Sequence, residues 1–337
     1  MPSVPRGPRV GVVGATGAVG TVTLALLREH GYDNIRAFAS WHSAGTRIGD
    51  LDVEEATPAT LGAGDLDLCF FSIGTSDSKE LVPPAAGAGV ICIDKSSAFR
   101  LDDDVPLVVP EVNGVRAFEN DGIIANPNCC VIPLALVLAP LRDAAGLRRV
   151  RVATYQSASG AGAQATERLR GESPEHHDLR MDWPLEGVEF DEEVKIRTET
   201  RKILELPDLP VSATCVRVPV LVGHAEAVWV ETEEQLTAKS AEQILRGAPG
   251  LRIEQVPSPA RSVGGDDVLV GRVRTDTTVQ NGIVLFFACD NLRKGAALNA
   301  LQIAELVLPG GRPAKGERGR GQRLSSYTPG GVGAGAG

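Results

Sequence analysis

The sequence lacks three features that would indicate a nucleic-acid-binding, membrane or secreted protein. It has no dense run of basic residues in its body, and 34 Lys and Arg against 43 Asp and Glu give a formal net charge of −9, which argues against nucleic acid as a partner. No stretch reaches the roughly 18 uninterrupted apolar residues that a membrane-spanning helix needs. No long apolar segment follows the first basic residues, so we expect no secretory signal.

The six cysteines lack the spacing of a metal site. Neither a CxxC pair nor a His/Cys ligand pattern occurs, so we expect no bound metal. Two cysteines are adjacent, and the other four lie in strand-like apolar runs, where they are interpreted as small buried hydrophobes: Cys69, Cys92, Cys215 and Cys289. Free thiols of this kind persist in a reducing compartment, so we expect a cytoplasmic protein.

The length and composition allow two domains. The chain has 337 residues, of which 43% are apolar, so it can bury sizeable cores and is not globally disordered. Glycine, proline and charged residues dominate from Pro309 onward. We therefore predict a disordered Gly/Pro-rich tail over residues 309–337.

A strand, a glycine turn and a helix open the chain. Residues 9–13 form a short apolar run, Gly14, Gly17 and Gly20 follow, and a helical pattern stops at Gly31. This order is typical of a dinucleotide site, where glycines let backbone N–H groups approach a pyrophosphate resting on the helix N-terminus. A purely structural turn is the alternative that a glycine pattern leaves open.

The end of the second predicted strand, residues 35–39, favours NADP over NAD. NAD-selective proteins usually carry an Asp or Glu there to hold the ribose 2′-hydroxyl, and none occurs between Ser40 and Gly45. Hydroxyl groups, the imidazole of His42 and the nearby guanidinium of Arg47 suit a 2′-phosphate better. An ordinary polar loop is the alternative interpretation.

Apolar runs continue to alternate with helices and loops up to residue 126. This alternation predicts a parallel, doubly wound sheet. Ligands of such sheets bind beyond the carboxyl ends of the strands. Four polar residues lie at predicted strand ends: Ser72, Ser96, Ser97 and Asn126.

Residues 126–133 combine a polar, turn-prone entrance with two adjacent thiols and the start of an apolar run. Asn128 suits a helix N-cap and Pro133 a first helical turn, so Cys129 or Cys130 is expected at a helix N-terminus. Unpaired N–H groups and the helix dipole favour a thiolate there, which predicts a nucleophile. A buried cysteine in a core helix is the alternative.

The second half contains several strands with few intervening helices, which indicates a mostly antiparallel sheet. A last helix is predicted over 294–308. The predicted fold class is therefore α/β, with a Rossmann-type parallel sheet domain over 1–128, completed by the last helix, that binds the nucleotide. An α+β domain with the mostly antiparallel sheet is predicted over 129–293.

Taken in order, the motifs resemble the aspartate-semialdehyde dehydrogenase family from residue 11 to about residue 308. These short stretches carry the match: 14–20, 96–100, 108–113, 126–129, 154–156, 159–162, 193–195, 217–224 and 290–295. The resemblance implies that the chain reduces L-aspartyl 4-phosphate to L-aspartate 4-semialdehyde with NADPH, releasing phosphate. This step leads towards lysine, methionine, threonine and diaminopimelate. The resemblance also implies a homodimer that pairs through the second domain.

The same resemblance implies roles for matched positions. Cys129 would be the nucleophile that forms an acyl thioester, Gln156 would orient the thioacyl group, and His224 would be the acid/base. Arg217 and Glu192 would hold the substrate carboxylate and amine. The other implied substrate-site residues are Arg100 and Lys195, for phosphate, and Asn128. Cofactor contacts are implied for Gly14, Thr16, Gly17, Ala18, Val19, His42, Ser43, Ser72, Ser159, Gly160 and Asn291.

The chemistry of the residues agrees with these roles. An acyl phosphate is already activated, so a thiolate can displace phosphate, and the thioester accepts hydride more readily than a carboxylate would. Phosphate needs cations such as Arg100 and Lys195. The oxyanion formed by hydride addition needs N–H donors and a nearby His. Taken singly, each residue is better explained by a structural role: Arg100 and Lys195 as surface ion pairs, Arg217 as a strand-end charge and His224 as a solvated loop residue.

Three departures from the family pattern stand out. Cys130 replaces the usual Ser or Thr after the nucleophile, and His42 replaces an Arg that meets the 2′-phosphate, which weakens the NADP preference. The stretch 162–192 is short and lacks the customary Phe-Asn-x-Ile-Pro segment, of which residues 181–184 are the apparent remnant. That stretch usually supports the dimer and the substrate pocket.

Two alternatives stay open on the sequence. One is a reductase of a related acyl phosphate, such as N-acetylglutamyl phosphate, although Arg217 and Glu192 suit a free α-amino acid better. The other is a non-catalytic, nucleotide-binding protein that senses oxidants through Cys129 and Cys130.

Overall fold

The computed structural model describes residues 7–308. The tail predicted over 309–337 lies outside the described residues, as do the first six. Between residues 7 and 308, no helix is both long and apolar enough to cross a bilayer.

A seven-stranded sheet dominates the first part of the chain. Its strands are β1 (Val10–Val13), β2 (Ile35–Ala39), β3 (Arg47–Ile48), β4 (Leu51–Glu55), β5 (Leu68–Phe71), β6 (Ile91–Asp94) and β7 (Ile123–Ala125). Their spatial order is β3-β4-β2-β1-β5-β6-β7. Every pairing is parallel except that of β3 with β4. The central strands β1 and β5 are completely buried, as expected for a sheet covered on both faces.

Four helices connect these strands. They are α1 (Ala18–Glu29), α2 (Pro58–Leu61), α3 (Thr75–Gly87) and α4 (Pro110–Asn113), and a 3-10 turn at Gly114–Glu119 follows the last. The first turns of α3 are mostly exposed and polar, so the sequence shows little apolar periodicity there. The apolar run 107–111 is not a strand: Leu107 forms one bridge to Ala125, and α4 then begins at Pro110, whose fixed φ suits a first helical residue.

The rest of the described chain builds a six-stranded mixed sheet and its helices. In chain order the elements are α5 (Val131–Ala145), β8 (Arg149–Gln156), α6 (Ala163–Gly171), β9 (Leu185–Glu186), β10 (Glu189–Phe190), α7 (Asp191–Leu204), β11 (Val211–Arg217), β12 (His224–Glu231), α8 (Ala238–Gly247), β13 (Leu251–Ile253), α9 (Pro259–Ser262), β14 (Val268–Asp276), β15 (Gly282–Cys289), a π-helical turn (Arg293–Ala297) and α10 (Leu298–Val307). The sheet order is β11-β8-β12-β15-β14-β13, with β9 and β10 forming a separate hairpin.

The predicted fold class is confirmed. The four central strands of the second sheet pair antiparallel, and both edge strands pair parallel. α5 lies at the centre of the largest core, with 11 of its 15 residues buried against this sheet. Burying each large apolar side chain contributes roughly 1.5–3 kcal/mol, so the helix that follows the two thiols is firmly held. α10 returns to pack with the core of the first sheet.

The strand directions bring several loops to one edge of the second sheet. β8 and β11 run parallel and end there with Gln156 and Arg217 in register. β12 runs the other way and begins there with His224, which pairs with Cys289 at the end of β15. The carboxyl end of β7 leads through residues 126–130 into α5, so the thiols meet this edge.

Candidate active site

Cys129 lies in the short link between β7 and α5. The Asn128 side chain accepts a hydrogen bond from the Cys130 backbone N–H at 2.8 Å, and α5 begins at Val131 with Cys130 in the cap position. Asn128 therefore accepts an N–H in the manner of a cap, but it lies two residues before the observed N-cap, so the prediction of Asn128 as the N-cap of α5 was wrong. Cys129 is partly exposed and Cys130 is fully buried, so reagents in the cleft reach the first thiol.

His224 contacts the thiol through Nε2, which lies 3.2 Å from Cys129 Sγ. Its other ring nitrogen, Nδ1, accepts a hydrogen bond from the backbone N–H of Ser157 at 3.0 Å. A backbone N–H can only donate, so Nδ1 must hold a lone pair, and the proton of the neutral ring sits on Nε2. The imidazole is therefore set to donate a hydrogen bond to the sulfur.

The two thiols have opposite acid–base character. The pKa of Cys129 is held well below its usual value by a hydrogen bond from the Cys130 thiol, and next by the imidazole of His224 and the guanidinium of Arg100, although burial opposes this. Burial raises the pKa of the Cys130 thiol well above its usual value, and the adjacent sulfur adds to the rise. Cys129 is thus the more readily ionised thiol of the pair, which is the property that a cysteine nucleophile needs, and Cys130 is its hydrogen-bond donor.

The three groups do not form a metal site, although the two sulfurs and His224 Nε2 all lie within 4.8 Å of one another. A histidine that binds a metal through Nε2 normally donates its Nδ1–H to an acceptor. Here Nδ1 accepts from the Ser157 backbone, which would force a bound ring towards the imidazolate. The Nδ1 contact of His224 therefore suits an imidazole that donates a hydrogen bond from Nε2, and it does not suit one that binds a metal through Nε2.

Glu192 on α7 orients two predicted site residues. One of its carboxylate oxygens, Oε1, accepts hydrogen bonds from Gln156 Nε2 at 3.0 Å and from Asn128 Nδ2 at 2.9 Å. The other oxygen lies 3.7 Å from Lys195 Nζ, which also pairs with Asp191 at 2.9 Å. Glu192, Gln156 and Asn128 are buried, whereas the Lys195 side chain is partly exposed.

Arg100 forms a buried ion pair that the sequence did not reveal. Its Nη1 donates to Glu199 Oε1 at 2.9 Å, while Nε and Nη2 donate to the backbone carbonyls of Asn126 and Lys95. Glu199 also accepts from the backbone N–H of Asn128 at 2.7 Å, so the pair fixes the approach to Cys129. Three of the five guanidinium N–H groups are used, which leaves two for a ligand.

Arg217 is also buried and is held by residues 172–190, which lie within the short stretch 162–192. Its Nε donates to Asp182 Oδ1 at 2.9 Å, and its guanidinium lies 4.4 Å from the ring centroid of Trp183. Its Nη1 donates to the carbonyl of Ser157 at 3.0 Å, and its backbone pairs with that of Arg180. The apparent remnant 181–184 is therefore part of the site.

Gly160 lies between His224 and Arg217. A Cβ atom on this glycine would be 3.0 Å from the Cε1 and Nε2 atoms of His224 and 3.6 Å from Nη1 of Arg217. Any side chain at this position would displace the imidazole. The space beside Gly160 therefore connects the acid/base candidate with the cation that is expected to hold a substrate carboxylate.

The predicted cofactor residues fall into two groups. Gly14, with φ of +77°, turns the chain after β1, and a Cβ there would lie 2.4 Å from the carbonyl oxygen of Ser72. The open start of α1 and the turn after β2 adjoin it, and they carry Thr16, Gly17, Ala18, Val19, His42 and Ser43. Lys95 donates to the Ser72 hydroxyl at 2.8 Å.

The second group belongs to the other sheet. The Asn291 side chain donates to Ser159 Oγ at 3.0 Å and accepts from the Gly223 backbone at 2.8 Å. It thereby ties the turn after β8 to the residue before His224. Ser159, Gly160 and Asn291 thus lie beside the thiol site. His42 and Ser43 instead follow β2, the strand that pairs with β1 in the first sheet.

The structure adds site residues that sequence reasoning missed. Glu199, Ser157 and Asp182 bond directly to predicted site residues. Glu226, two residues after His224 on β12, is completely buried. A signal for it existed: Glu226 occupies the inward register of β12, where Val228 and Val230 enter the core, and an acidic residue there is unexpected.

The comparisons with known proteins all indicate the same family. Residues 9–119 match the model of the semialdehyde dehydrogenase NAD binding domain, and residues 138–188 and 185–294 match that of the semialdehyde dehydrogenase dimerisation domain. The aspartate-semialdehyde dehydrogenase of Streptomyces akiyoshiensis is 44% identical over 333 residues, which covers 89% of this chain and 98% of the relative. That of Aquifex aeolicus is 41% identical and covers 90% of this chain and 99% of its own.

Solved structures agree with the sequence comparison. The crystal structure of aspartate semialdehyde dehydrogenase II from Vibrio cholerae, complexed with ASA, superposes with a TM-score of 0.84 at 39% identity, covering 90% of this chain and 98% of that one. The Candida albicans aspartate semialdehyde dehydrogenase structure with NADP gives a TM-score of 0.71 at 25% identity, covering 89% of this chain and 98% of that one.

Proposed function

The chain belongs to the aspartate-semialdehyde dehydrogenase family, and from that premise we propose that it reduces L-aspartyl 4-phosphate to L-aspartate 4-semialdehyde with NADPH, through a thioester on Cys129. This reaction supplies lysine, methionine, threonine and diaminopimelate synthesis. The observation that carries the proposal is the 3.2 Å contact between Cys129 Sγ and His224 Nε2, at a sulfur whose pKa is lowered.

The first step is attack of the Cys129 thiolate on the acyl carbon. The C–O bond to phosphate breaks, and a C–S bond forms. Leaving phosphate needs cationic partners. Lys195 is partly exposed and pairs with Asp191 one helical turn away. It contacts the leaving phosphate directly, and Arg100 donates its two remaining N–H groups to the same phosphate.

The second step is reduction of the thioester. The Gly14 turn and the start of α1 would hold NADPH, which would supply the hydride. The Nε2–H of His224 then stabilises the oxyanion that develops on the former carbonyl. When the C–S bond breaks, the aldehyde leaves and Cys129 returns as the thiolate. Gln156, fixed by Glu192, orients the carbonyl for this step.

Substrate selection follows from Arg217 and Glu192. Arg217 offers its free N–H groups to the α-carboxylate, and Glu192 offers charge to the α-amino group. The space beside Gly160 is bounded by Arg217 Nη1 and His224 Nε2, which suits a short amino acid. A substrate with an acylated amine, such as N-acetylglutamyl phosphate, would offer no positive charge to Glu192.

The nucleotide turn fits a dinucleotide phosphate. The first turn of α1 contains no acidic residue, so its unpaired N–H groups and positive dipole end are free for an anion. Trp41, 68% exposed, stacks on His42 with ring centroids 3.5 Å apart.

We propose NADP as the cofactor, with His42 and Ser43 beside the 2′-phosphate. We also propose that the protein is a cytoplasmic homodimer.

The test is reduction of NADP by the purified protein with L-aspartate 4-semialdehyde, measured with and without inorganic phosphate and repeated with NAD. We expect turnover that requires phosphate and is faster with NADP. The Cys129→Ala variant should abolish turnover, whereas Cys92→Ala, which changes a buried thiol in the core of the first sheet, should retain it. Absence of phosphate-dependent turnover by the folded wild type would overturn the proposal.

Two further arms address the alternatives. A panel containing N-acetylglutamate semialdehyde should give much weaker turnover than the aspartate compound. Mass spectrometry after addition of acyl phosphate, with no reductant present, should detect an acyl adduct on the peptide containing Cys129. If peroxide oxidation of Cys129 is the only modification found, the non-catalytic redox protein is correct instead.

A further inference from the structure

Lys95 brings an amino group to the nucleotide turn without an acidic partner. The residue is half-buried and follows β6. Its Nζ donates hydrogen bonds to Thr23 Oγ1 on α1 and to Ser72 Oγ after β5, each at 2.8 Å. Both acceptors are neutral, and Lys95 has no ion pair among the described residues. The preceding carboxylate, Asp94, accepts from Ser78 on α3 instead. Buried lysines are usually paired with an acid, so the missing counter-charge calls for an explanation.

The two hydroxyl partners of Lys95 lie on either side of the glycine turn. The carbonyl oxygen of Ser72 would be 2.4 Å from a Cβ atom on Gly14, so this residue packs directly against the turn. Thr23 donates to the carbonyl of Val19 at 2.8 Å, and Val19 belongs to the first turn of α1. The pyrophosphate of a dinucleotide is expected at that first turn. Lys95 is therefore one residue removed from the expected anion site on both sides.

The glycine turn itself offers only uncharged groups to a dinucleotide. Residues 14–20 contain no charged side chain, so the negative charges of a diphosphate would meet backbone N–H groups and the positive end of the α1 dipole. A cation behind the turn would add to this attraction, because charges in a partly buried site are screened less than charges in open solvent. Lys95, bonded to both α1 and Ser72, is placed to supply that charge.

The surroundings of Lys95 allow the amine to be neutral while the site is empty. A neutral amine has two N–H groups, which match the two hydroxyl acceptors, and the third N–H exists only in the ammonium. Burial lowers the pKa of Lys95 to about 7, although the charges of Asp94 and Cys69 oppose this. α1 faces the amine with the neutral Thr23, and Arg100 contacts only the backbone carbonyl of Lys95. A nearby anion would favour the charged form.

We infer that Lys95 takes up a proton when the anionic cofactor binds, and that its positive charge then stabilises the bound diphosphate. The proton comes from solvent and adds to the lone pair of Nζ. No covalent bond to the cofactor forms, and Lys95 touches no reacting atom, so it acts on binding and not on the chemical step. The inference rests on the proposed function, because it requires a dinucleotide at the Gly14 turn.

The test counts protons during binding and needs no turnover. NADPH is titrated calorimetrically into the purified protein at pH 8, in two buffers that differ in ionisation enthalpy. We expect net uptake of up to about one proton per site. Below pH 7 Lys95 is already charged, whereas above it binding must supply the proton, so the affinity should fall by up to about tenfold per pH unit from pH 7 to 9.

The nucleotide without a 2′-phosphate separates Lys95 from the other end of the cofactor. A phosphate monoester has its second pKa near about 6, so the 2′-phosphate is already ionised in this pH range. NADH shares the diphosphate with NADPH. It should therefore show the same proton uptake and the same pH dependence, with weaker affinity throughout. Uptake seen with NADPH and lost with NADH would assign the proton to the 2′-phosphate site and overturn the inference.

Three variants complete the experiment. Lys95→Met should bind NADPH more weakly at pH 7 and lose both the proton uptake and the pH dependence. Lys95→Arg carries a permanent charge, so it should bind without uptake and with constant affinity from pH 7 to 9. Lys79→Met changes an exposed lysine of α3 in the same domain and should behave as the wild type.

The outcomes separate this inference from the proposed reaction. If Lys95→Met does not fold, the wild type and Lys95→Arg still decide. NADPH binding to the wild type without proton uptake, or uptake that persists in Lys95→Arg, would overturn the role of Lys95 and leave the reductase proposal intact. Failure of the folded wild type to bind either nucleotide would overturn both.

Discussion

Single contacts determine the chemistry of the residues around the thiol. The Ser157 N–H occupies Nδ1 of His224, so the neutral imidazole carries its proton on Nε2 and faces Cys129 as a donor. Cys129 and Cys130 are adjacent in sequence, yet their pKa values shift in opposite directions. A hydrogen bond from the Cys130 thiol lowers the pKa of Cys129, whereas burial raises the pKa of Cys130.

The first prediction concerns His224→Ala. The donor at 3.2 Å from Cys129 Sγ is lost, so the thiolate is less stable and the pKa of Cys129 rises. Thiolate is the form above the pKa, so reactivity at acidic pH should suffer most. We expect iodoacetamide alkylation at pH 6 to fall at least about tenfold, which corresponds to one pKa unit, and to recover at high pH. An unchanged pH profile would contradict the assignment.

The second prediction concerns Asp182→Asn. Asp182 places a carboxylate 2.9 Å from Arg217 Nε, where it competes with the substrate carboxylate for the same cation. A partly exposed pair of this kind contributes at most about 1 kcal/mol. We expect the KM for the semialdehyde to fall up to about fivefold with kcat nearly unchanged, while exposed Asp178→Asn has no effect. A rise in KM would show that Asp182 instead holds Arg217 in position.

At the scale of elements, α7 unites most of the predicted binding groups. Its residues 192, 195 and 199 lie on one face at helical spacing. Glu192 and Glu199 contact Gln156, Asn128 and Arg100. α10 has a comparable structural role, because it returns from the second sheet to the first core. α7 carries buried charged residues with matched partners, and the π-helical turn before α10 carries another, Lys294.

The third prediction tests the attachment of the last helix. Lys294 is buried and donates to Glu111 at 2.6 Å and to Gln302 at 2.7 Å, joining the π-helical turn to α4 and α10. Lys294→Met leaves the Glu111 charge buried, so we expect a loss of about 3–5 kcal/mol in the free energy of unfolding. Denaturant titration measures it.

Two further variants complete that experiment. The double variant Lys294→Met with Glu111→Leu should lose less than the single one, since no unpaired charge remains. Arg246→Met breaks an exposed pair with Glu242 and should cost less than about 1 kcal/mol. Equal losses in the single and double Lys294 variants would show that the pair itself contributes little.

At the scale of the whole molecule, exposed apolar side chains concentrate in the short stretch 172–190. Leu179, Met181, Leu185 and Val188 are all more than half exposed, and Val188 is 98% exposed. Such a patch is typical of an interaction surface, and this stretch lies within the match to the dimerisation domain. We propose that it contributes to the homodimer interface.

The fourth prediction follows from that surface. Leu185→Glu combined with Val188→Glu should place charges in the interface and shift the protein from dimer to monomer in sedimentation velocity at micromolar concentration. Val115→Glu, which changes an equally exposed residue of the first domain, should leave the dimer intact. A wild-type monomer, or a double variant that remains dimeric, would contradict this assignment of the interface.

Several features followed from the sequence alone. The buried strands β1 and β5, the glycine turn and the apolar helix α5 were predicted because each has a strong local signal, whether a continuous apolar run, a required positive φ or a capping pattern. The same local signals, taken in order, indicated the family. They also gave the nucleophile and its histidine, Cys129 and His224, as candidates.

Other features depended on the tertiary structure. The pairing of Arg100 with Glu199, of Arg217 with Asp182, and the Ser157 contact that sets the His224 proton join residues tens of positions apart, and no local pattern encodes such contacts. The burial of Glu226 is of the same kind. The sequence by itself determined which residue types were present and in what order, whereas the protonation state of each depends on distances and burial that exist only after the two sheets have packed together.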